Sequence, residues 1–248
     1  YGNYVPNPAI RMSQLIASMK DRDGIVTIKG FYDGIEISDK AKEVMAKVPD
    51  DEKELQRSIG ISEIDKVASN YQESIQYPSL NVRGLQSGWV EKEVRTIIPS
   101  YALAEIDVRL VKETNAEKLI SLIREHIAKQ GYYLTIDDPT DKERSEHGRI
   151  ATFNYKISYS AFRTPIDSDI GRWLTLAIRN GFDKDPIIKR TSGGSVPISP
   201  FVNTLNVPAV TVPTVNPDNN QHSPNENVRV GNLIESVRTH LSILVQPF

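Results

Sequence analysis

The chain has 248 residues, 39% hydrophobic and 25% charged, with a formal net charge of -2, four histidines and no cysteine. That is enough chain for one large or two ordinary globular domains, and the charge gives no general attraction for nucleic acid or an anionic membrane. No stretch approaches the roughly eighteen apolar residues of a membrane helix, and the missing cysteines remove disulfides, thiolate metal sites and a cysteine nucleophile.

Tyr-Gly-Asn-Tyr-Val-Pro-Asn-Pro, residues 1–8, is neither an initiator nor a signal peptide and reads like the inside of a longer protein. Asn7-Pro8 predicts a helix start, an amide cap followed by proline, with Met12, Leu15, Ile16 and Met19 at helical spacing until Lys20–Gly24 closes the segment. Residues 35–75 are charged and locally helical, foremost Lys40–Lys47 and Asp50–Ile59, and read as an elaboration on the domain surface. The period then becomes two. Leu80–Gly84 predicts a strand. Over 102–110, Ala102, Ala104, Ile106, Val108 and Leu110 alternate with Glu105, Asp107 and Arg109, as in a half-buried antiparallel strand.

Thr114-Asn115-Ala116-Glu117 has the form of a capping box and opens a helix with Leu119, Leu122, Ile123 and Ile127, ending at Gly131. Tyr132–Ile136 and Tyr155–Tyr159 predict strands on either side of a polar, loop-like 137–149. This order predicts an α+β domain with helices on one face of an antiparallel sheet. Past Thr164-Pro165, Ser168 or Asp169 caps a helix with Ile170, Trp173, Leu174, Ala177 and Ile178 inward, stopped by Gly181. Ile187-Ile188 predicts a short strand, Ser195 a helix start, and Val207–Val212 an almost wholly apolar strand. A last helix carries Leu233, Ile234, Val237, Leu241 and Leu244. That is α/β organisation, with a boundary near residues 162–167. Two buried strands need neighbours on each side, so the second unit has the content of half a domain.

Three groups are candidates for chemistry. His222, in Asn219-Asn220-Gln221-His222-Ser223-Pro224-Asn225-Glu226, follows the C-terminal end of the Val207–Val212 strand, where open α/β sheets place ligands; it is a zinc donor or a surface loop histidine. His126 and His240 read as edge-of-core or surface histidines, His147 as a loop residue, and none forms a constellation completing a metal site with His222. Ser192-Gly193-Gly194-Ser195 presents backbone amides to a carboxylate or oxyanion, or is a tight turn; Pro197, where a nucleophile elbow needs glycine, argues against a serine hydrolase. Arg109 is one rung of a solvated charge ladder with Asp107 and Glu105, or a bidentate clamp on a carboxylate.

Taken together, Tyr-Gly-Asn and its helix, Tyr77-Pro78-Ser79-Leu80, Thr96-Ile97-Ile98-Pro99, Ile106-Asp107-Val108-Arg109-Leu110, Gly193-Gly194-Ser195-Val196-Pro197 and His222-Ser223-Pro224-Asn225-Glu226 resemble the M20 family of zinc peptidases, in particular its cytosolic non-specific dipeptidase and carnosinase branch. The resemblance implies a lid and dimerisation domain over residues 1–163, with a dipeptidase-type insertion at about 35–75, and the C-terminal part of a di-zinc α/β catalytic domain over 164–248. It implies hydrolysis of dipeptides or short peptides by a cytoplasmic homodimer that binds neither nucleic acid nor membrane.

The same resemblance makes His222 a ligand of one of two zinc ions. Arg109 would hold the substrate's terminal carboxylate, helped by Gly193, Gly194 and Ser195, and Thr96 would reach substrate from the lid. The remaining metal ligands, a lid histidine and the general base are expected upstream of Tyr1, leaving no complete metal site and no catalytic residue in this chain. A further family histidine has no counterpart in Tyr159-Ser160-Ala161-Phe162-Arg163, and Arg190 stands one position off the arginine that often precedes the glycine pair. The alternatives are a non-catalytic lid that only assembles, or a relative that hydrolyses N-acyl amino acids.

Overall fold

The computed structural model describes residues 1–194 and 196–248. These form two compact units, one of Tyr1–Asp39 with Pro49–Ala161, the other of Lys40–Val48 with Phe162–Phe248.

The first unit opens with α1, Pro8–Ala17, where Asn7 Oδ1 accepts the Ala9 N–H at 2.9 Å and proline fills the first turn. Asp39–Ala46 is α2 and straddles the two units; Glu52–Ile59 is α3, capped by Asp51 and ended by Gly60 at φ 74°. Tyr71–Ser74 is the short α4. The segment leading to α4 is tied back to the α1 turn by exposed ion pairs, Lys20–Asp65 at 2.7 Å and Lys66–Asp23 at 2.6 Å, each worth little in water.

The chain then forms β1, Ser79–Gln86, and after a 3₁₀ turn at Glu91–Glu93, β2, Leu103–Arg109. The two pair antiparallel with Ser79 opposite Arg109, and the register shifts between Val82 and Gly84. Helix α5, Ala116–Lys129, follows, then β3, Tyr133–Thr135, α6, Asp141–Glu146, and β4, Ile150–Thr152. Strands β3 and β4 pair in parallel. The core gathers Leu15 and Met19 of α1, Val26, Ile28, Phe31, Leu80 of β1, and Leu119, Ile123 and Ile127 of α5, with Ile106, Val108 and Leu110 packed against it. The period-two residues of β2 and the helical stripe of α5 thus bury against each other.

The second unit is helical among the described residues. It holds α7, Asp169–Phe182, α8, Ser199–Leu205, and α9, Val230–Val245. Helices α7 and α9 pack together, and the C-terminal tail folds onto α7: Trp173 Nε1 donates to the Pro247 carbonyl at 2.9 Å and its ring lies 5.7 Å from Phe248.

Several local expectations are corrected. Asn115, not Thr114, caps α5, accepting the Lys118 N–H at 3.0 Å; Thr114 Oγ1 is turned back to the Val111 carbonyl at 2.6 Å. The capping box lies instead at Thr140 and Glu143, inside the stretch read as loop, where it opens α6. The strand after that loop is Ile150–Thr152; residues 155–159 form no strand among the described residues. Gly181 does not stop α7, which runs to Phe182 and ends at Asp183 in the left-handed region. Residues 187–188 and 207–212 form no strand among the described residues. Apolarity supplies no hydrogen bonds, and at Ala209 the Thr164 hydroxyl takes both, accepting from N–H at 3.1 Å and donating to C=O at 2.6 Å.

Candidate functional site

Arg109 ends β2 on its polar face, exposed, while Val108 and Leu110 turn to the core. Its Nε donates to Asp107 Oδ2 at 2.6 Å, and Glu105 further up the strand is engaged by Arg83 at 3.0 Å. Register with Ser79 places Arg109 at the end of the antiparallel pair away from the β1–β2 connection. Thr96 lies in that connection, exposed, next to Arg95, whose guanidinium sits 4.6 Å from the Trp89 ring centroid. Both residues belong to the first unit.

Gly193, Gly194 and His222 belong to the second. Gly193 and Gly194 form an exposed bend in which Ser192 Oγ donates to the Gly194 carbonyl at 3.5 Å. The following helix, α8, begins only at Ser199, with Ile198 as its cap. The glycine amides therefore do not stand at a helix N-terminus, as the sequence had suggested, and Ser195 lies outside the described residues.

His222 is exposed and adopts φ 63°, a left-handed backbone that residues with a Cβ seldom take. The apolar 207–212 segment before it and α9 after it bracket a loop rich in amides. Among these, Asn216 and Asn219 are buried, and the sequence offered no sign of their importance beyond an asparagine run whose side chains suit turns.

The other histidines are engaged locally. His126 Nε2 lies 2.9 Å from Ser18 Oγ, joining α5 to the end of α1; its burial, with Lys129 nearby, pushes its pKa below the ordinary value. His147 stacks on Tyr133 with ring centroids 3.8 Å apart, and His240 Nδ1 lies 2.7 Å from the Ser236 carbonyl of its own helix. Among the described residues no group of three or more His, Asp and Glu is placed to hold a metal ion. One exposed imidazole is too small a donor set for a zinc site, which takes three or four protein ligands, so this chain's described residues do not by themselves fit the metal pair. No helix among them is long and apolar enough to cross a membrane.

The sequence profile of the M20 peptidase dimerisation domain matches residues 1–133. Over 98% of its length the chain is 25% identical to the Cys-Gly metallodipeptidase DUG1 of Saccharomyces cerevisiae, of which it covers 49%. Over 99% of its length it is 22% identical to the human Beta-Ala-His dipeptidase, covering 47%. The fold superposes on an M20 family metallo-carboxypeptidase, Sso-CP2 of Sulfolobus solfataricus, with a TM-score of 0.77 and 25% identity, over 99% of this chain and 53% of the other. Human carnosine dipeptidase 1 superposes with a TM-score of 0.76 at 20% identity, over 99% and 51%. The chain spans about half the length of the curated relatives it matches. With the profile running over residues 1–133 of 248, on a fold shared with these peptidases, the chain belongs to the M20 peptidase dimerisation-domain family.

Proposed function

We propose that this chain serves a metal-dependent hydrolysis of dipeptides or short peptides, carried out by a homodimeric whole protein. The observation that carries this reading is the extent of the likeness: alignment with enzymes named metallodipeptidase and dipeptidase runs through both units, from the Arg109 strand to the His222 loop. Arg109 receives the substrate's terminal carboxylate, its exposed guanidinium already ordered by Asp107. Thr96 contacts substrate from the β1–β2 connection, and Gly193, Gly194 and Ser195 offer amides and a hydroxyl to the same end of the peptide. His222 is the one donor this chain brings toward two zinc ions, the others and the general base coming from elsewhere in the whole protein.

The test is to assay the whole protein from its source with Cys-Gly, β-Ala-His and an N-acyl amino acid. Dipeptide turnover that a chelator abolishes and His222→Ala removes is expected. A metal-loaded protein that leaves both dipeptides intact, or one indifferent to His222→Ala, overturns the reading. Preferred cleavage of the N-acyl amino acid would move the substrate class.

A second reading concerns the 248 residues by themselves. The matched profile is that of a dimerisation domain, and the described donors do not add up to a metal site. By itself the chain is then an assembly module. Sedimentation equilibrium giving twice the chain mass without peptidase activity is the expected result, and a monomer at micromolar concentration refutes it.

A further inference from the structure

The loop carrying His222 runs from Asn216 to Arg229, and its two ends meet on one buried side chain. Asn216 is only 2% exposed. Its Oδ1 accepts the Arg229 N–H at 3.0 Å, and its Nδ2 donates to Asp218 Oδ1 at 2.9 Å and to Asn227 Oδ1 at 3.4 Å. The Asp218 carboxylate in turn pairs with the Arg229 guanidinium. A second tier is built on Asn219: its Oδ1 accepts the Gln221 N–H at 3.1 Å and its carbonyl accepts the Asn227 N–H at 2.9 Å. At the tip, Asn220 Nδ2 donates to the Pro224 carbonyl at 2.9 Å and the Ser223 N–H to the Asn220 carbonyl at 3.0 Å.

Three non-glycine residues inside this cage have a left-handed backbone: Asn220 at φ 59°, His222 at 63° and Asn225 at 64°. Asparagine tolerates that region because its side chain bonds locally; histidine gains less, and such a conformation persists only where the surroundings over-determine it. The amide at position 216 matches both of its neighbours. A backbone N–H can only donate, so the group facing Arg229 must be an acceptor, while the group facing Asp218 must be a donor, and one planar carboxamide supplies both.

We propose that Asn216 is a positioning residue, whose buried amide clasps both ends of the 216–229 loop and thereby sets the left-handed backbone from which the His222 imidazole projects. The functional meaning of that placement rests on the reading of His222 as a metal donor; the clasp itself does not. Asn216 touches no reacting atom. It acts through the loop.

The test uses the 248-residue chain labelled for NMR, with the four imidazoles and the loop amides as reporters. In Asn216→Ala, exchange at the Arg229 and Asn227 amides should quicken about tenfold or more, as expected for a local opening, and the His222 signals should shift or broaden. The signals of His126, His147 and His240 and the amides of α7 and α9 should stay put. Asn216→Asp keeps the acceptor for Arg229 but loses the donor and sets a charge against Asp218. There the Arg229 amide should remain protected while Asn227 and His222 still respond. Should Asn216→Ala unfold the unit, Asn227→Ala removes one exposed arm of the clasp and must also displace the His222 signals. His222 signals unchanged in the folded variants, or displaced only in step with every helix, overturn the proposal. The kinetic assay of His222→Ala decides the metal-donor reading separately, since its failure would leave the NMR result standing.

Discussion

Arg109 shows how two readings of one side chain can be separated by chemistry. Its pairing with Asp107 at 2.6 Å satisfies a charge ladder, and more than half of the side chain is exposed to solvent. If it clamps substrate as proposed, Arg109→Ala in the whole protein should lower kcat/KM for a dipeptide by roughly a hundredfold, and Arg109→Lys should recover only part, because an ammonium lacks the planar fork. The C-terminal amide of the same dipeptide should lose far less. Equal discrimination between acid and amide by wild type and Arg109→Ala would leave only the ladder. His126 carries a prediction of another kind. Its folded-state pKa lies below the ordinary value of about 6.5, chiefly through burial, with Lys129 adding to the effect and Ser18 opposing it. The unfolded chain therefore binds more protons in that window, so the contribution to stability is present above about pH 6.5 and is lost as pH falls through the lower folded value. Denaturant midpoints at about pH 7.5 and about pH 5.5 should converge in His126→Gln relative to wild type.

Gly181 teaches the corresponding lesson about helices. As a helix breaker it should have ended α7, but α7 passes through it, because α9 lies against that position. A Cβ there would come within 2.7 Å of Ser242 Cβ and 2.0 Å of its hydroxyl. Alanine would gain up to about 1 kcal/mol of helix propensity over glycine, whereas forcing two packed helices apart costs typically about 1–3 kcal/mol, so the steric effect should win. Gly181→Ala is expected to lower the melting temperature, and Gly181→Ala with Ser242→Gly to recover most of the loss. A stabilised single variant would show that the α7–α9 approach is looser than described. The same contrast explains α6. Its Thr140-Asp141-Lys142-Glu143 start is short and polar, carries no apolar stripe, and so reads as loop until the reciprocal cap is seen.

Each of the two units also presents apolar surface. In the second, α9 has no buried residue, and Leu233, Ile234, Val237, Leu241 and Leu244 are all more than half exposed along one helical stripe. Contiguous apolar surface of that kind promotes association. The isolated chain is expected to bind a hydrophobic dye, and Ile234→Glu with Leu241→Glu should reduce that binding while each substitution shifts folding stability by no more than about 0.5 kcal/mol, as exposed positions do. Dye binding unchanged in the double variant would place the sticky surface elsewhere. Zinc added to the 248-residue chain should not produce dipeptide turnover, because the described donors do not group into a metal site.

What the sequence determined by itself was whatever depends on neighbours along the chain. Period-two burial in β2, the stripe of Leu119, Ile123 and Ile127 in α5, the Asn7-Pro8 start of α1 and the start of α7 at Ser168 or Asp169 are written in local spacing, and so was the family likeness, which rests on short motifs in order. Tertiary structure decided whatever needs a partner. The 207–212 run is as apolar as a strand should be, but a ladder requires a second backbone, and at Ala209 that role falls to the Thr164 hydroxyl. The capping-box pattern pointed to Thr114 as the cap of α5, and the structure gives that role to Asn115. The burial of Asn216, which binds residues 218, 227 and 229 into one loop, arises from contacts across up to thirteen positions. No local pattern encodes it, because a hydrogen-bond donor and acceptor are satisfied by whatever the fold brings to them.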